Sequence, residues 1–210
     1  MNQMEKTVLT KTLKNYYKAK SKPELVTLGS AQYVSIRGKG DPNEVPFSNK
    51  VQALYTVAFG LKFIYKEQDL DFVVPKLEGL WWFDIEKYGQ VNLAEAPNAV
   101  PRSEWEYRLL IQMPSFVSVR SLREAVDNAV HEKGIKLAAE VEWYKMAGGR
   151  FVQMLHTGPF NTEPETLKQI ECYMRENGLQ KNRLHHEIYL SDFRLTAPEN
   201  FKTILREPIK

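Results

Sequence analysis

Apolar residues recur along this chain with two periods, and each period predicts one kind of secondary structure. Between residues 47 and 67 they return every three or four positions, which is the spacing of one face of a long helix. Further helices are predicted over 121–134 and 162–178, the second beginning at a capping box of Thr162 and Glu165. Strands are predicted where β-branched and aromatic residues fill short runs between turn-forming residues, at 32–38, 71–84, 104–114, 149–160, 183–192 and 201–210.

The order strand, turn, helix, strand, strand occurs twice, which indicates a duplicated module and an α+β fold. We place the first module at about 25–114, a helical linker at about 120–134 and the second module at about 140–210. A Lys-rich segment, 1–24, precedes them as an extended arm. A chain of 210 residues, 43% of them hydrophobic, is long enough to form a single domain around a sizeable core.

Alignment of the two halves with each other singles out one acidic residue. It pairs residues 187–192 with residues 79–84, and both segments end in Asp. Because side chains alternate along a strand, Glu187 shares one face with Tyr189 and with its own counterpart, Gly79. Two such modules side by side would leave a groove between their sheets. Glu187 is predicted to stand in this groove, opposite a residue that has no side chain.

We assign the other face of these two strands to the helices. Leu80 and Ile188 alternate with the groove residues and are predicted to point toward the helix side. Of the two neighbouring tryptophans, only Trp81 can then face the groove. Trp82 is predicted to lie in the core.

Charge and cysteine content argue against several classes of function. There are 29 Lys and Arg residues against 26 Asp and Glu, spread along the chain, so no basic stripe marks a nucleic-acid surface. Cys172 is the only cysteine and cannot form an internal disulfide, and the first ten residues lack the apolar core of a signal peptide. Together these features favour the cytoplasm. No apolar run approaches the roughly 20 residues needed to span a membrane.

Seven sequence blocks occur in order: LKNYYKAKSKPELV, YVSIRGKGDPNE, KVQALYTVAFGLKF, PKLEGLWW, QMLHTGPFNTEPETL, HHEIYLSD and APENFKTILREPI. Together they resemble the GyrI-like small-molecule-binding proteins, in the stand-alone bacterial branch of that family, over nearly the whole chain. The resemblance implies duplicated strand-helix-strand-strand modules with antiparallel sheets and a pseudo-twofold ligand groove. It also implies that the groove glutamate, which attracts lipophilic cations in related multidrug-sensing regulators, falls on Glu187. Some stand-alone members hydrolyse the cyclopropane rings of DNA-alkylating natural products.

The sequence departs from the family pattern at two turns. The family's Gly-Pro-Tyr is Gly158-Pro159-Phe160 here, which removes a phenol that could bond to a ligand or to the glutamate. The family's Ser-Asp-Pro is Ser191-Asp192-Phe193, a change expected to alter only the turn.

Glu187 is the candidate residue with the most specific chemistry. Aromatic surroundings disfavour its charged form through desolvation, and its carboxyl group could bind a cation or accept a proton from an attacking water. Tyr189 could donate a hydrogen bond to the ligand or to that water. Trp81, continued by Trp105 and Tyr107, would form aromatic walls suited to planar or cationic ligands. The alternatives are a solvated or ion-paired strand glutamate and ordinary packing of the rings.

The histidines do not form a recognised metal motif. His185 and His186 point to opposite faces of one strand, and no cysteine or acidic residue has the local spacing of a zinc site. We place His185 at the groove rim near Glu187, and His156 at a turn whose backbone groups it satisfies. No metal and no organic cofactor are expected.

These observations leave two functions open. In the first, the groove binds a lipophilic, aromatic or cationic small molecule through Glu187, Tyr189, Trp81, Trp105, Tyr107 and His185. In the second, the protein is a metal-independent hydrolase that detoxifies alkylating natural products by opening their cyclopropane rings. Glu187 would then be the general base and Tyr189 would orient the water. The expected partner is a small molecule, without direct nucleic-acid or membrane binding, and the chain is expected to be a monomer or a weak homodimer.

Overall fold

The computed structural model describes residues 6–89, 91–92 and 94–210. Eight strands run in chain order: β1 (Glu24–Leu28), β2 (Ala31–Lys39), β3 (Leu77–Trp82), β4 (Glu106–Gln112), β5 (Glu142–Met146), β6 (Gly149–Thr157), β7 (His185–Tyr189) and β8 (Lys202–Ile209). The helices are α1 (Leu9–Thr12), α2 (Val45–Lys66), α3 (Ile85–Tyr88), α4 (Ala96–Ala99), α5 (Val119–His131) and α6 (Glu163–Glu176). The predicted α+β class and the predicted order of long helices and main strands are confirmed.

All eight strands join one antiparallel sheet in the order β1-β6-β8-β7-β3-β4-β2-β5. Each half contributes two strands, a helix and two further strands, so β1 to β4 correspond to β5 to β8. The sheet order is unchanged when each strand is exchanged for its counterpart, which makes the sheet pseudo-twofold symmetric. We expected two separate sheets facing a groove, but β3 and β7 pair directly and merge them into one.

The outer strands are exchanged between the halves. β1, from the first half, pairs with β6 of the second half, and β5, from the second half, pairs with β2 of the first. Neither of these short strands was predicted from the sequence. Each is an edge strand of only five residues whose apolar pattern is interrupted by exposed positions.

The pseudo-twofold axis passes between Gly79 and Glu187. These two residues, equated by the internal alignment, are also direct cross-strand partners in the β3–β7 pair. A glutamate therefore stands at the centre of the sheet, and its symmetry mate has no side chain.

The long helices α2, α5 and α6 pack on one face of the sheet, but not as we predicted for the central strands. α2 and α5 cover the first half through a cluster that includes Trp81 and Tyr189, and α6 covers the second half. Leu80 and Ile188 lie on the opposite face. The prediction that they point toward the helices is therefore wrong: the groove residues are on the helix side, in the space between the helices.

Part of the N-terminal segment, residues 9–19 with the short helix α1, covers the opposite face of the sheet. Tyr16 and Tyr17 are buried there against Leu80 and Ile188, so both faces of the central strands carry apolar side chains. This covering explains the wrong prediction for Leu80 and Ile188, because an alternation of apolar and groove residues does not reveal which of two covered faces holds the long helices.

A buried polar network fastens this segment to the sheet. The Tyr16 hydroxyl donates a hydrogen bond to the Glu78 carboxyl group over 2.6 Å, and the Tyr17 hydroxyl donates to Gln112 over 2.6 Å. The guanidinium group of Arg206, which is fully buried, donates to the backbone carbonyl of Tyr16 and to the side-chain oxygen of Gln153.

The predicted capping box at the start of α6 does not form, because the Thr162 hydroxyl donates to the Pro159 carbonyl instead of capping the helix. Within the described parts of the chain, every helix is too short or too polar to cross a membrane.

Candidate functional site

A groove of about 1160 Å³ opens on the helix face above the pseudo-twofold axis. β3 and β7 form its floor and α6 forms one wall. The opposite wall consists of the beginning of α2 and the described residues between 83 and 105. The lining is mostly apolar and aromatic, as is typical of small-molecule sites.

Glu187 lies on the groove floor with its side chain 13% exposed. One carboxyl oxygen accepts a hydrogen bond from the Tyr189 hydroxyl over 2.6 Å, and the other lies 3.2 Å from Nε2 of His185. The Tyr189 hydroxyl in turn accepts a hydrogen bond from the indole N–H of Trp81 over 2.9 Å. Four of the predicted residues are thus joined in one hydrogen-bonded chain. Burial and the nearby Glu187 raise the pKa of Tyr189 well above its ordinary value, so its hydroxyl remains a donor.

The chain of hydrogen-bonded side chains continues behind His185. Its Nδ1 contacts the carboxyl group of Glu207, which is fully buried on β8, and Lys181 lies 3.1 Å from the other oxygen of that group. Burial alone would lower the pKa of His185, but the two carboxyl groups of Glu207 and Glu187 raise it to about 9. His185 is therefore a cation at neutral pH, held between two acids. It is a buried link in the site, and not only the rim residue we expected.

The absence of a side chain at Gly79 makes room for a contact between two groove residues. A Cβ atom at this position would lie 2.7 Å from Nε1 of Trp81 and 3.0 Å from the Tyr189 hydroxyl. The missing side chain is therefore what allows the Trp81–Tyr189 hydrogen bond to cross the centre of the sheet. The space predicted opposite Glu187 is therefore present, but side-chain atoms of Trp81 and Tyr189 fill it.

Aromatic rings surround Trp81. Phe47 of α2 stacks on it with ring centroids 6.1 Å apart, and Trp105 meets it edge-on at 6.4 Å. Tyr107 packs against Trp81 and is 1% exposed, so it supports the wall from behind without lining the groove. Trp82 borders the groove as well as packing with the opposite face, so its assignment to the core alone is incomplete.

The two residues that depart from the family pattern both line the groove. The ring of Phe160 lies edge-on to that of Tyr189, with centroids 6.0 Å apart. Phe193 is 43% exposed, so the second substitution adds an aromatic ring to the site and does more than alter a turn.

A second carboxyl group, that of Glu163, lines the groove and was not predicted from the sequence. It is 8% exposed, and within the described chain its Oε1 atom is buried without a hydrogen-bond partner. Burial and then the charge of Glu187 raise the pKa of Glu163 well above its ordinary value. The N-terminus of α6 favours the ionised form by about 0.3–1 kcal/mol. An unpartnered buried charge costs several kcal/mol, so the neutral form is favoured.

Two further members of the site, Glu207 and Lys181, were also missed. Two adjacent charged residues, Arg206 and Glu207, inside a predicted strand were the available signal for Glu207. Glu163 gave no signal, because acidic residues are ordinary in the first turn of a helix. His156 lies where we expected, with Nε2 3.2 Å from the Pro159 carbonyl oxygen. Among the residues that the structure describes, no cluster of three or more His, Cys, Asp or Glu side chains is arranged to hold a metal ion.

The position of His185 predicts how stability depends on pH. Its pKa rises from about 6.5 in the unfolded chain to about 9 in the fold, so the imidazolium contributes roughly 3 kcal/mol that is fully present below pH 6.5. This contribution is lost as pH rises through 9. Urea denaturation between pH 6 and 9.5 should show the free energy of unfolding falling by about that amount. His185→Gln should be less stable at pH 6 and should lack this slope. An equal slope in the variant would assign the effect to another group.

Two solved structures of proteins from Listeria innocua are similar to this protein over nearly its whole length. One is described as an uncharacterized conserved protein, with 33% sequence identity and a TM-score of 0.86. The other is described as a hydrolase, with 32% identity and a TM-score of 0.83. In each case the match covers 98% of this chain and 100% of the other.

A more distant similarity concerns the fold alone. The C-terminal domain of EcmrR matches with 11% identity and a TM-score of 0.53, over 90% of this chain and 97% of that domain, which shows a shared fold. The family model for the GyrI-like small molecule binding domain matches residues 117–210. Among curated proteins, no match was found.

Proposed function

Because this chain belongs to the GyrI-like small-molecule-binding family, we propose that its groove binds a lipophilic, aromatic or cationic small molecule, with Glu187 as the polar anchor. The observation that carries the proposal is the position of this carboxyl group on the floor of an apolar groove, where it accepts a hydrogen bond from Tyr189, whose hydroxyl accepts one in turn from Trp81. The groove volume of about 1160 Å³ is sufficient for a molecule of several fused rings.

The other predicted site residues have two kinds of role in this proposal: some form the aromatic walls, and some hold the carboxyl group of Glu187. Trp81 and Trp105 present ring faces and edges to a planar ligand, and Tyr107 holds Trp81 in place from behind. His185 and Tyr189 both point donors at Glu187 and so fix the orientation of its carboxyl group. A ligand then meets a site that is already organised, which reduces the entropy lost on binding.

A planar aromatic dye should bind to the wild-type protein, quench its tryptophan fluorescence and raise its melting temperature by mass action. Trp81→Leu should weaken binding by roughly three- to tenfold, because an aromatic contact contributes about 0.5–1.5 kcal/mol. Trp143→Phe is the matched control, since Trp143 is partly buried against the core but does not line the groove, and its replacement should leave affinity unchanged. Equal affinity in wild type and Trp81→Leu would contradict the role given to Trp81.

Hydrolysis of a cyclopropane ring is a second candidate function for the same residues. Two observations favour it: the buried chain Glu207–His185–Glu187–Tyr189, and the hydrolase description of a relative 32% identical over nearly the whole chain. Glu187 would remove a proton from water while the water oxygen attacks a ring carbon. The carbon–carbon bond would break with its electron pair moving into the conjugated acceptor group of the substrate. Mass spectrometry tests this function, because the opened product gains one water.

A further inference from the structure

Glu163 is a buried acid in the groove that the proposed function does not use. It belongs to the α6 wall, whereas Glu187 belongs to the floor, so a bound molecule would lie between two carboxyl groups on different elements. Within the described residues, no donor reaches its buried Oε1 atom. An ionised carboxylate requires donors, so this environment suits the protonated acid.

We propose that Glu163 is a protonated carboxylic acid that donates a hydrogen bond to an acceptor oxygen of the bound molecule. The inference rests on the proposed function and refines its ligand class. The preferred ligand is a neutral aromatic molecule that carries a carbonyl group, and it is preferred over a cation.

The charges around the groove support this selectivity. The ionisable groups that line the groove with Glu163 are Arg102, Glu171, Arg175, Lys181, Arg183, His185, Glu187 and Tyr189. Glu187 already has the cation His185 as a partner, and Glu207 behind it has both His185 and Lys181. Between Glu187 and Glu163, a cationic ligand would therefore meet one carboxyl group that is already paired with a cation and one that is neutral. Burial and the charge of Glu187 raise the pKa of Glu163, in agreement with the neutral form.

The same acid would complete the hydrolytic reaction. When a ring conjugated to a carbonyl group opens, the electron pair of the broken carbon–carbon bond reaches the carbonyl oxygen. That oxygen would take the proton of Glu163, while Glu187 takes a proton from the attacking water. The product has gained one water, and the transfer of a proton from Glu187 to Glu163 through solvent restores the starting state.

Three planar three-ring probes of similar size test the inference at pH 7: 9-fluorenone, fluorene and the 10-methylacridinium cation. Fluorenone differs from fluorene by its carbonyl group. The wild type should bind fluorenone roughly three- to tenfold more tightly than fluorene, the range expected for one buried hydrogen bond. Glu163→Gln keeps a donor and should preserve this ratio, whereas Glu163→Leu should bring it close to one. Affinity for methylacridinium should be the same in wild type and Glu163→Gln, because no charge is removed.

The outcomes separate the two levels of the proposal. If none of the three probes binds the wild type, the proposed function fails. If the wild type binds them but Glu163→Leu keeps the preference for fluorenone, only the inference is overturned. A tenfold loss of methylacridinium affinity in Glu163→Gln would also overturn it, because that loss would show an ionised Glu163. Circular dichroism of both variants confirms that each is folded before titration.

Discussion

Glu187→Gln is expected to lower the rate of cyclopropane opening by about a thousandfold, within the range by which general bases contribute to catalysis. Glutamine keeps the size of the side chain and can still meet His185 and Tyr189, but it cannot take the proton of the attacking water. The reaction would be followed by mass spectrometry of a cyclopropane-containing alkylator, comparing the ring-opened, hydrated product with the starting compound. Binding of a neutral planar probe should change much less than the rate.

Glu165→Gln is the matched control for this variant, because Glu165 is an exposed acid on α6 that does not line the groove. It should hydrolyse the alkylator at the wild-type rate. If the wild type opens the ring no faster than buffer alone, the hydrolase function is wrong and the binding function is unaffected. If Glu187→Gln is as fast as the control, another residue activates the water.

Arg206→Met is expected to lower the free energy of unfolding by about 3–5 kcal/mol. The substitution leaves two buried acceptors, the Tyr16 carbonyl and the Gln153 side chain, without their donor. It also removes a guanidinium group that stacks on the Tyr16 ring at 4.6 Å. Urea denaturation measures the loss. Because Arg206 fastens the N-terminal segment, limited proteolysis near residues 14–22 should accelerate as well.

Arg123→Met is the control for this experiment, since Arg123 is exposed on α5 and its replacement should change stability by no more than about 0.5 kcal/mol. A loss in Arg206→Met no larger than in the control would show that the buried network contributes little. Wild-type proteolysis kinetics in a destabilised Arg206→Met would show that Arg206 is not needed to hold the N-terminal segment on the sheet.

Much of the architecture could be predicted because it follows from the local periodicity of apolar residues along the chain. The apolar stripe of α2 and the strand patterns of β3, β7 and β8 need no distant information. The position of Glu187 could be predicted for a different reason: the duplication supplies an internal alignment. Its counterpart Gly79 then marked the place where the two halves meet, and the structure makes these residues direct partners.

The remaining features depend on contacts between distant segments. Glu163 becomes unusual only when the strand that carries Glu187 is placed beside it. The face of Leu80 could not be assigned because the segment with Tyr16 and Tyr17 covers the side that lacks the long helices. The functional roles of Glu187, Tyr189 and the aromatic wall remain predictions that the titrations and rate measurements are designed to test.

The exchange of outer strands between the halves sets a limit on how this chain can fold during synthesis. Ser35 of β2 is paired with Glu142 of β5, 107 residues further along the chain. Until the ribosome has produced β5, the outer edge of β2 has unpaired backbone groups that can join another strand. Contacts at such long separation also slow folding, because the loop must close before any pairing is gained. The nascent first half is therefore the stage at which aggregation threatens this protein most and at which chaperone binding would help it most.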